Sequence, residues 1–127
     1  MLYAILCYHS EAVVTAWTQE EDDAVMAKLH VVHEKLARNG QLGPTARLHP
    51  SKAATTLLKN QDRVIDGPYA ETKEQLLGFY VIDVADRDAA LEVARDLTLA
   101  NPGGAYELRP ISLFMPGGGL PDAVETA

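Results

Sequence analysis

Basic side chains are scarce in this sequence. Eleven Lys and Arg stand against eighteen Asp and Glu, for a formal charge of −7. A nucleic-acid partner needs clustered Lys and Arg to neutralise phosphates, and an anionic membrane surface needs the same, so neither is expected. Cysteine is scarcer still: Cys7 stands alone, which excludes an internal disulfide. It lies in the apolar run "LYAILCY", where a free cysteine acts as a small buried hydrophobe rather than a reactive thiol. No apolar run approaches the ~20 residues of a membrane span. The opening "MLYAILCYHSE" turns polar too soon for a signal peptide and has no basic n-region, so the chain reads as cytoplasmic. Nucleotide-loop, nucleophile-elbow and CxxC motifs are also missing.

What is present suits one domain with a substantial core: 127 residues at 47% hydrophobic content. "LYAILCY" reads as a strand. In "TQEEDDAVMAKLHVVHEKLARNG", Thr18 and Glu21 form a capping box, and Val25, Leu29, Val32 and Leu36 recur at helical spacing. Asn39-Gly40 ends that helix. "LGPTARL" is a short extended segment, and "AATTLLKNQDRVID" reads as two strands with a turn at Asn60-Gln61. "LLGFYVIDV" is a strand, "DRDAALEVARDLTLA" is a second helix capped by Asp86, and "AYELRPI" is a last strand. Pro110 puts that strand at an edge or a bulge. The domain is expected over residues 1–114, with a mobile tail over 115–127.

This order predicts an α+β fold, the ferredoxin-like split βαβ arrangement with a mostly antiparallel sheet and two helices on one face. Side chains alternate along a strand, yet Leu2, Ala4 and Leu6 on one side of the first strand and Ile5 and Cys7 on the other are all apolar. Two helices cover only one face. A second copy of the sheet is the simplest cover for the other, so a homodimer is expected.

His30 and His33 lie three apart on the long helix and share a face. Two histidines without a third ligand do not make a metal site, and nothing in the sequence requires a cofactor. Each reads either as a helix-surface residue or as a general base over the sheet. His9, at the end of the first strand, reads as incidental, and Tyr8 as either a pocket-rim hydroxyl or a strand aromatic. "DGPYAETKEQ", residues 66–75, sets an aromatic and several charges directly before an apolar strand. It is either a solvated turn or a site. Should Val64 face the core, Asp66 points inward at the sheet rim, where Lys73 or Arg109 would supply the opposite charge.

From "DGPYAETKEQLLGFYVIDVADRDAALEVARDL" through "YELRPI", the chain resembles the DGPF-type branch of the YCII-related proteins. Asp66, Gly67, Pro68, Glu71, Lys73, Glu74, Gly78, Glu107, Arg109 and Pro110 fit the pattern, with Tyr69 in place of the usual Phe. The resemblance spans nearly the whole chain. It implies a bacterial protein whose ferredoxin-like fold dimerises as an α+β barrel. Many such proteins are encoded beside extracytoplasmic-function sigma factors. A dehydrochlorinating lyase among the wider relatives has a proposed His–Asp dyad, its histidine on the first helix. His30 and His33 occupy the corresponding helix here, though neither falls in that register.

Two functions follow as expectations. In the first, a cleft between the sheet and the long helix, rimmed by "DGPYAETKE", binds a small organic molecule for lyase- or isomerase-like acid–base chemistry without a cofactor. Asp66 with His33 or His30 would be catalytic there, and Tyr8, Tyr69, Glu71, Lys73 and Arg109 would hold the ligand. In the second, the protein is a non-catalytic dimeric module that binds a ligand or a regulatory partner, such as a sigma factor, through the charged loop.

Overall fold

The capping box written in the sequence opens the longest element. In a computed structural model that describes residues 1–123, the Thr18 side chain accepts from the Glu21 amide at 3.1 Å, and the Glu21 carboxylate accepts from the Thr18 amide. Removing such a cap costs about 1 kcal/mol. Helix α2 then runs Gln19–Arg38, with Leu29 and Leu36 buried on one stripe. It is preceded by strand β1, Leu2–His9, and by a single turn of helix α1, Glu11–Val14, which the sequence pattern did not announce. Strand β2, Leu42–Arg47, follows. A 3-10 turn over Ser51–Ala53 leads to β3, Thr55–Leu58, and β4, Arg63–Asp66. Strand β5 is Gln75–Asp83, helix α3 is Arg87–Ala100 and strand β6 is Ala105–Pro110. Asp86 caps α3 by accepting from the Ala89 amide at 2.9 Å.

Four strands form one sheet in the order β2-β5-β1-β6, and every neighbouring pair is antiparallel. With the β3–β4 hairpin set aside, this is the ferredoxin-like arrangement expected from the element order. β6 is an edge strand, which accommodates Pro110. The hairpin does not join the main sheet; β3 and β4 pair with each other in a sheet of their own. Residues 115–123 carry no helix or strand, and the last part of the expected tail, 124–127, lies outside the described residues.

Register decides which side chains meet the helices. Tyr3 pairs with Ile82, and Ile5 with Tyr80 and with Leu108 across its two neighbours. These residues share one face and form a core with Leu29 and Leu36 of α2 and Ala90, Val93 and Leu97 of α3. Ile5, Ile82 and Leu97 are fully buried. Both long helices therefore cover the same face. Leu2, Ala4 and Leu6 of β1 lie on the other face with Phe79 and Val81 of β5. That side is apolar too: Val81 is buried there and the others are half-buried.

Candidate functional site

The β1–β5 ladder slips once. Cys7 pairs with Gly78, but Tyr8 pairs with Leu76, so β5 bulges at Leu77. Beside this irregularity the sheet and α2 separate, leaving a cavity of about 170 Å³. Its apolar wall is made by Trp17, Val25, Met26, Leu29 and Leu77, and its polar wall by Cys7, His33, Tyr80, Asn101 and Tyr106. Tyr8 and His9 lie at the strand end that opens into it.

His33 sits four residues after Leu29 and three before Leu36, on the buried stripe of α2, so its ring turns toward the sheet. There its Nε2 meets the Tyr80 hydroxyl at 2.8 Å. Burial, and then the neighbouring His30, hold the His33 imidazole below its ordinary range. Burial, with Cys7 and Tyr106 nearby, pushes the Tyr80 phenol up. The Cys7 thiol is pushed up to about 12 by burial. The Tyr106 phenol is also raised to about 12 by burial and by Cys7, against a hydrogen bond from the Asn101 side chain. At neutral pH the wall thus presents an uncharged imidazole, two phenols and a thiol. Cys7 is half-buried in this wall, and its raised thiol disfavours the thiolate that a reactive cysteine needs.

At the mouth, Arg47 donates to both Asp22 carboxylate oxygens, at 2.9 and 3.4 Å. The two charges compensate each other. Among the described residues no three His, Cys, Asp or Glu side chains gather as metal ligands. His30 and His33 stand together, with ring centroids 5.7 Å apart, but only His33 lines the cavity. His30 is exposed.

The expected rim lies elsewhere. Asp66 ends β4 in the separate hairpin, where Val64 is 62% exposed and Asp66 is exposed with it. Ile65, not Val64, is the half-buried residue of that strand, so alternation turns Asp66 to solvent rather than to the cleft. Glu71 and Lys73 are exposed and line no part of the cavity. Tyr69 borders an open hollow on the hairpin with Thr56, Leu57 and Lys59. Arg109 projects from the edge strand opposite Ala4, on the face away from the helices, and pairs with Glu107 at 3.7 Å. Of the eight residues singled out from sequence, the structure brings His33 and Tyr8 to the cavity.

The stretch 66–75 touches the site only through its last residue. Gln75 pairs with His9, accepts from the Glu11 amide at 3.0 Å through Oε1, and donates to the Thr72 carbonyl at 2.9 Å. The Glu11 carboxylate in turn accepts from the Ser51 hydroxyl at 2.7 Å and from the Ser51 amide. This chain of bonds ties the loops to α1, which carries Val14 to the cavity.

Tyr80, Trp17, Tyr106 and Asn101 belong to no motif that marks them as site residues. One signal was available for Tyr80. Alternation sets it on the same strand face as Ile82, and helical spacing sets His33 on the Leu29–Leu36 stripe, so the two face each other wherever the helix covers that face.

The sequence matches the profile of the YCII-related domain over residues 1–115. It is also 56% identical, over 120 residues, to an uncharacterised protein of Rhizobium meliloti (strain 1021), covering 92% of this chain and 97% of that one.

Proposed function

The chain belongs to the YCII-related family, and we propose that it binds a small organic molecule between α2 and the sheet and moves a proton on it through His33 and Tyr80. The observation that carries this reading is the 2.8 Å contact of His33 Nε2 with Tyr80 Oη in the cavity wall. A base that is neutral near pH 7 and hydrogen-bonded to a phenol is suited to general acid–base work. The phenol is the stronger donor, so Tyr80 O–H donates to Nε2. A molecule in the cavity that must lose a proton gives it to the Tyr80 oxygen as Tyr80 passes its own to His33 Nε2. The imidazolium so formed returns a proton by the reverse path, through the phenol, to the atom that must gain one. Lyase- or isomerase-like chemistry needs this exchange.

The test is a fragment screen read by thermal shift on the wild-type chain, His33→Gln and Asp66→Asn. Hits that stabilise the wild type and Asp66→Asn alike but lose their effect in His33→Gln support the reading. Hits lost in Asp66→Asn and kept in His33→Gln would place the ligand at the hairpin and overturn it.

A homodimer is part of the proposal. The apolar face of Leu2, Ala4, Leu6, Phe79 and Val81 lies away from both helices. A twofold contact between two such faces is self-complementary and would form the α+β barrel.

One observation favours a second reading beside the first. The end of β4 and the loop after it hold Asp66, Glu71 and Lys73 exposed and Tyr69 at 79% exposure, outside the cavity. An aromatic amid charges is a fair contact surface for a regulatory partner, and a sigma factor is the candidate. Loss of sigma-factor co-purification in Tyr69→Ala, with the fold intact, would support it; absence of any complex with the wild-type chain would end it.

A further inference from the structure

We infer that Asp22 and Arg47 set the specificity of the cavity: by holding each other across its mouth, they restrict it to uncharged molecules of about one ring. The inference rests on the ligand-binding reading above and names the ligand class.

The pair joins two elements. Asp22 lies in the first turn of α2, and Arg47 ends β2. The guanidinium donates Nη2 to Asp22 Oδ1 at 2.9 Å and Nη1 to Oδ2 at 3.4 Å, so both carboxylate oxygens and both terminal nitrogens are engaged. This two-pronged match is the geometry in which Arg and a carboxylate fit best. The carboxylate is the more covered partner, with 24% of its side chain exposed against 60% for Arg47. Each keeps surface at the mouth and each lines the cavity.

The charge census of the wall gives the pair its meaning. The chain carries eleven basic and eighteen acidic side chains. Among the described residues, Asp22 and Arg47 are the ones of these that line the cavity. The rest of its polar wall is uncharged. His9 accepts from the Ser10 amide at Nδ1, 2.8 Å away, which an imidazolium cannot do. An ion that enters leaves its water and meets no free opposite charge. To bind, an anion must take Arg47 from Asp22 and a cation must take Asp22 from Arg47. Either leaves a charge at the mouth without its partner, which is how a site is built against the wrong ligand. A neutral molecule passes the pair and leaves it intact.

Size narrows the class further. A cavity of about 150 Å³ with apolar walls holds one benzene, and this one is about 170 Å³. Trp17, Met26 and Leu29 supply an apolar wall for one ring.

The experiment is an NMR titration of the full-length ¹⁵N-labelled protein near neutral pH. Its three probes share a ring and differ in charge: benzyl alcohol, benzoate and benzylammonium. The wild type is expected to bind benzyl alcohol roughly tenfold more tightly than either ion. Asp22→Asn frees Arg47, and benzoate alone should gain, roughly two- to fivefold. Arg47→Gln frees Asp22, and benzylammonium alone should gain by a similar factor. Both gains should shrink at ~0.5 M salt while the affinity for benzyl alcohol holds. Asp96→Asn makes the same change in net charge at the Lys35–Asp96 pair, neither member of which lines the cavity, and should move no probe. Three results would overturn the inference and leave the cavity a binding site. One is an ion bound by the wild type as tightly as benzyl alcohol. Another is a gain shared by all three probes, which reports a widened mouth. The third is a benzoate gain in Asp96→Asn as large as in Asp22→Asn, which reports net charge alone. If no probe moves the cavity amides in any variant, the inference fails, and the fragment screen alone decides the broader reading.

Discussion

His33 and Tyr80 are 47 residues apart in sequence and 2.8 Å apart in space, joined through Nε2 and the phenol oxygen. A helix and a strand that share one core bring them together, and their protonation is coupled to folding. The folded state holds the His33 imidazole below its ordinary value of 6.5. The unfolded chain therefore binds the proton more readily. The stability this site contributes is complete above about pH 6.5 and is lost as pH falls through that value toward the lowered one. Urea unfolding between pH 7.5 and 5 should show stability falling with acid, by less in His33→Gln. In ring NMR, His30→Gln should move the His33 titration upward, because His30 contributes to its depression.

Cys7 offers a chemical reading of the same wall. Its thiol is raised from 9.0 to about 12, so the thiolate fraction at pH 8 drops by roughly a thousandfold. Part of that loss is offset by the greater nucleophilicity of a more basic thiolate. Iodoacetamide should modify the folded protein at least ~30-fold more slowly than the urea-unfolded chain. Comparable rates would show that the cavity wall is open to solvent.

Gly103 and Gly104 form the turn from α3 into β6, with φ of +98° and +74°. A Cβ at Gly103 meets the His9 ring at 2.8 Å, and one at Gly104 meets the Tyr8 carbonyl oxygen at 2.0 Å. The ring can swing aside and the paired strand backbone cannot. Gly103→Ala should cost on the order of 1–2 kcal/mol from backbone strain. Gly104→Ala should cost more, measured by urea unfolding, and Gly103→Ala should also disturb the His9 ring resonances.

The dimer is tested on the face away from the helices. The wild-type chain should sediment at twice its chain mass at micromolar concentration. Phe79→Asp, in the middle of that apolar face, should sediment as a monomer with an unchanged far-ultraviolet spectrum. A monomeric wild type would remove the barrel from the proposal.

The fold was legible because its signals are local. Thr18 with Glu21, Asp86 before Ala89, and the Leu29–Leu36 stripe each settle an element within a few residues. Alternation in β1 and β5 gave both apolar faces. The hairpin was legible as two strands, but its separation from the main sheet was not, since pairing partners are not encoded in a single strand's composition. The site was less legible still. Asp66 drew attention by its company in "DGPYAETKEQ", yet its exposure depends on whether Val64 or Ile65 turns inward, and both are apolar. Asn101 looked like an ordinary helix stop. Its place in the cavity wall becomes visible only when β6 brings Tyr106 beside it.

Among the described residues, the strands of the hairpin between β2 and β5 pair only with each other, and the bonds from the Gly67 amide to the Ala54 carbonyl and from the Thr56 hydroxyl to the Gly67 carbonyl close it at its base. It can therefore open without disturbing a single rung of the main sheet. A lone two-stranded ribbon is marginally stable, so its amides should exchange with deuterium well before those of β1 and β5. Proteases would then nick the chain first near Asn60, and the cavity, built from other elements, would outlast the cut.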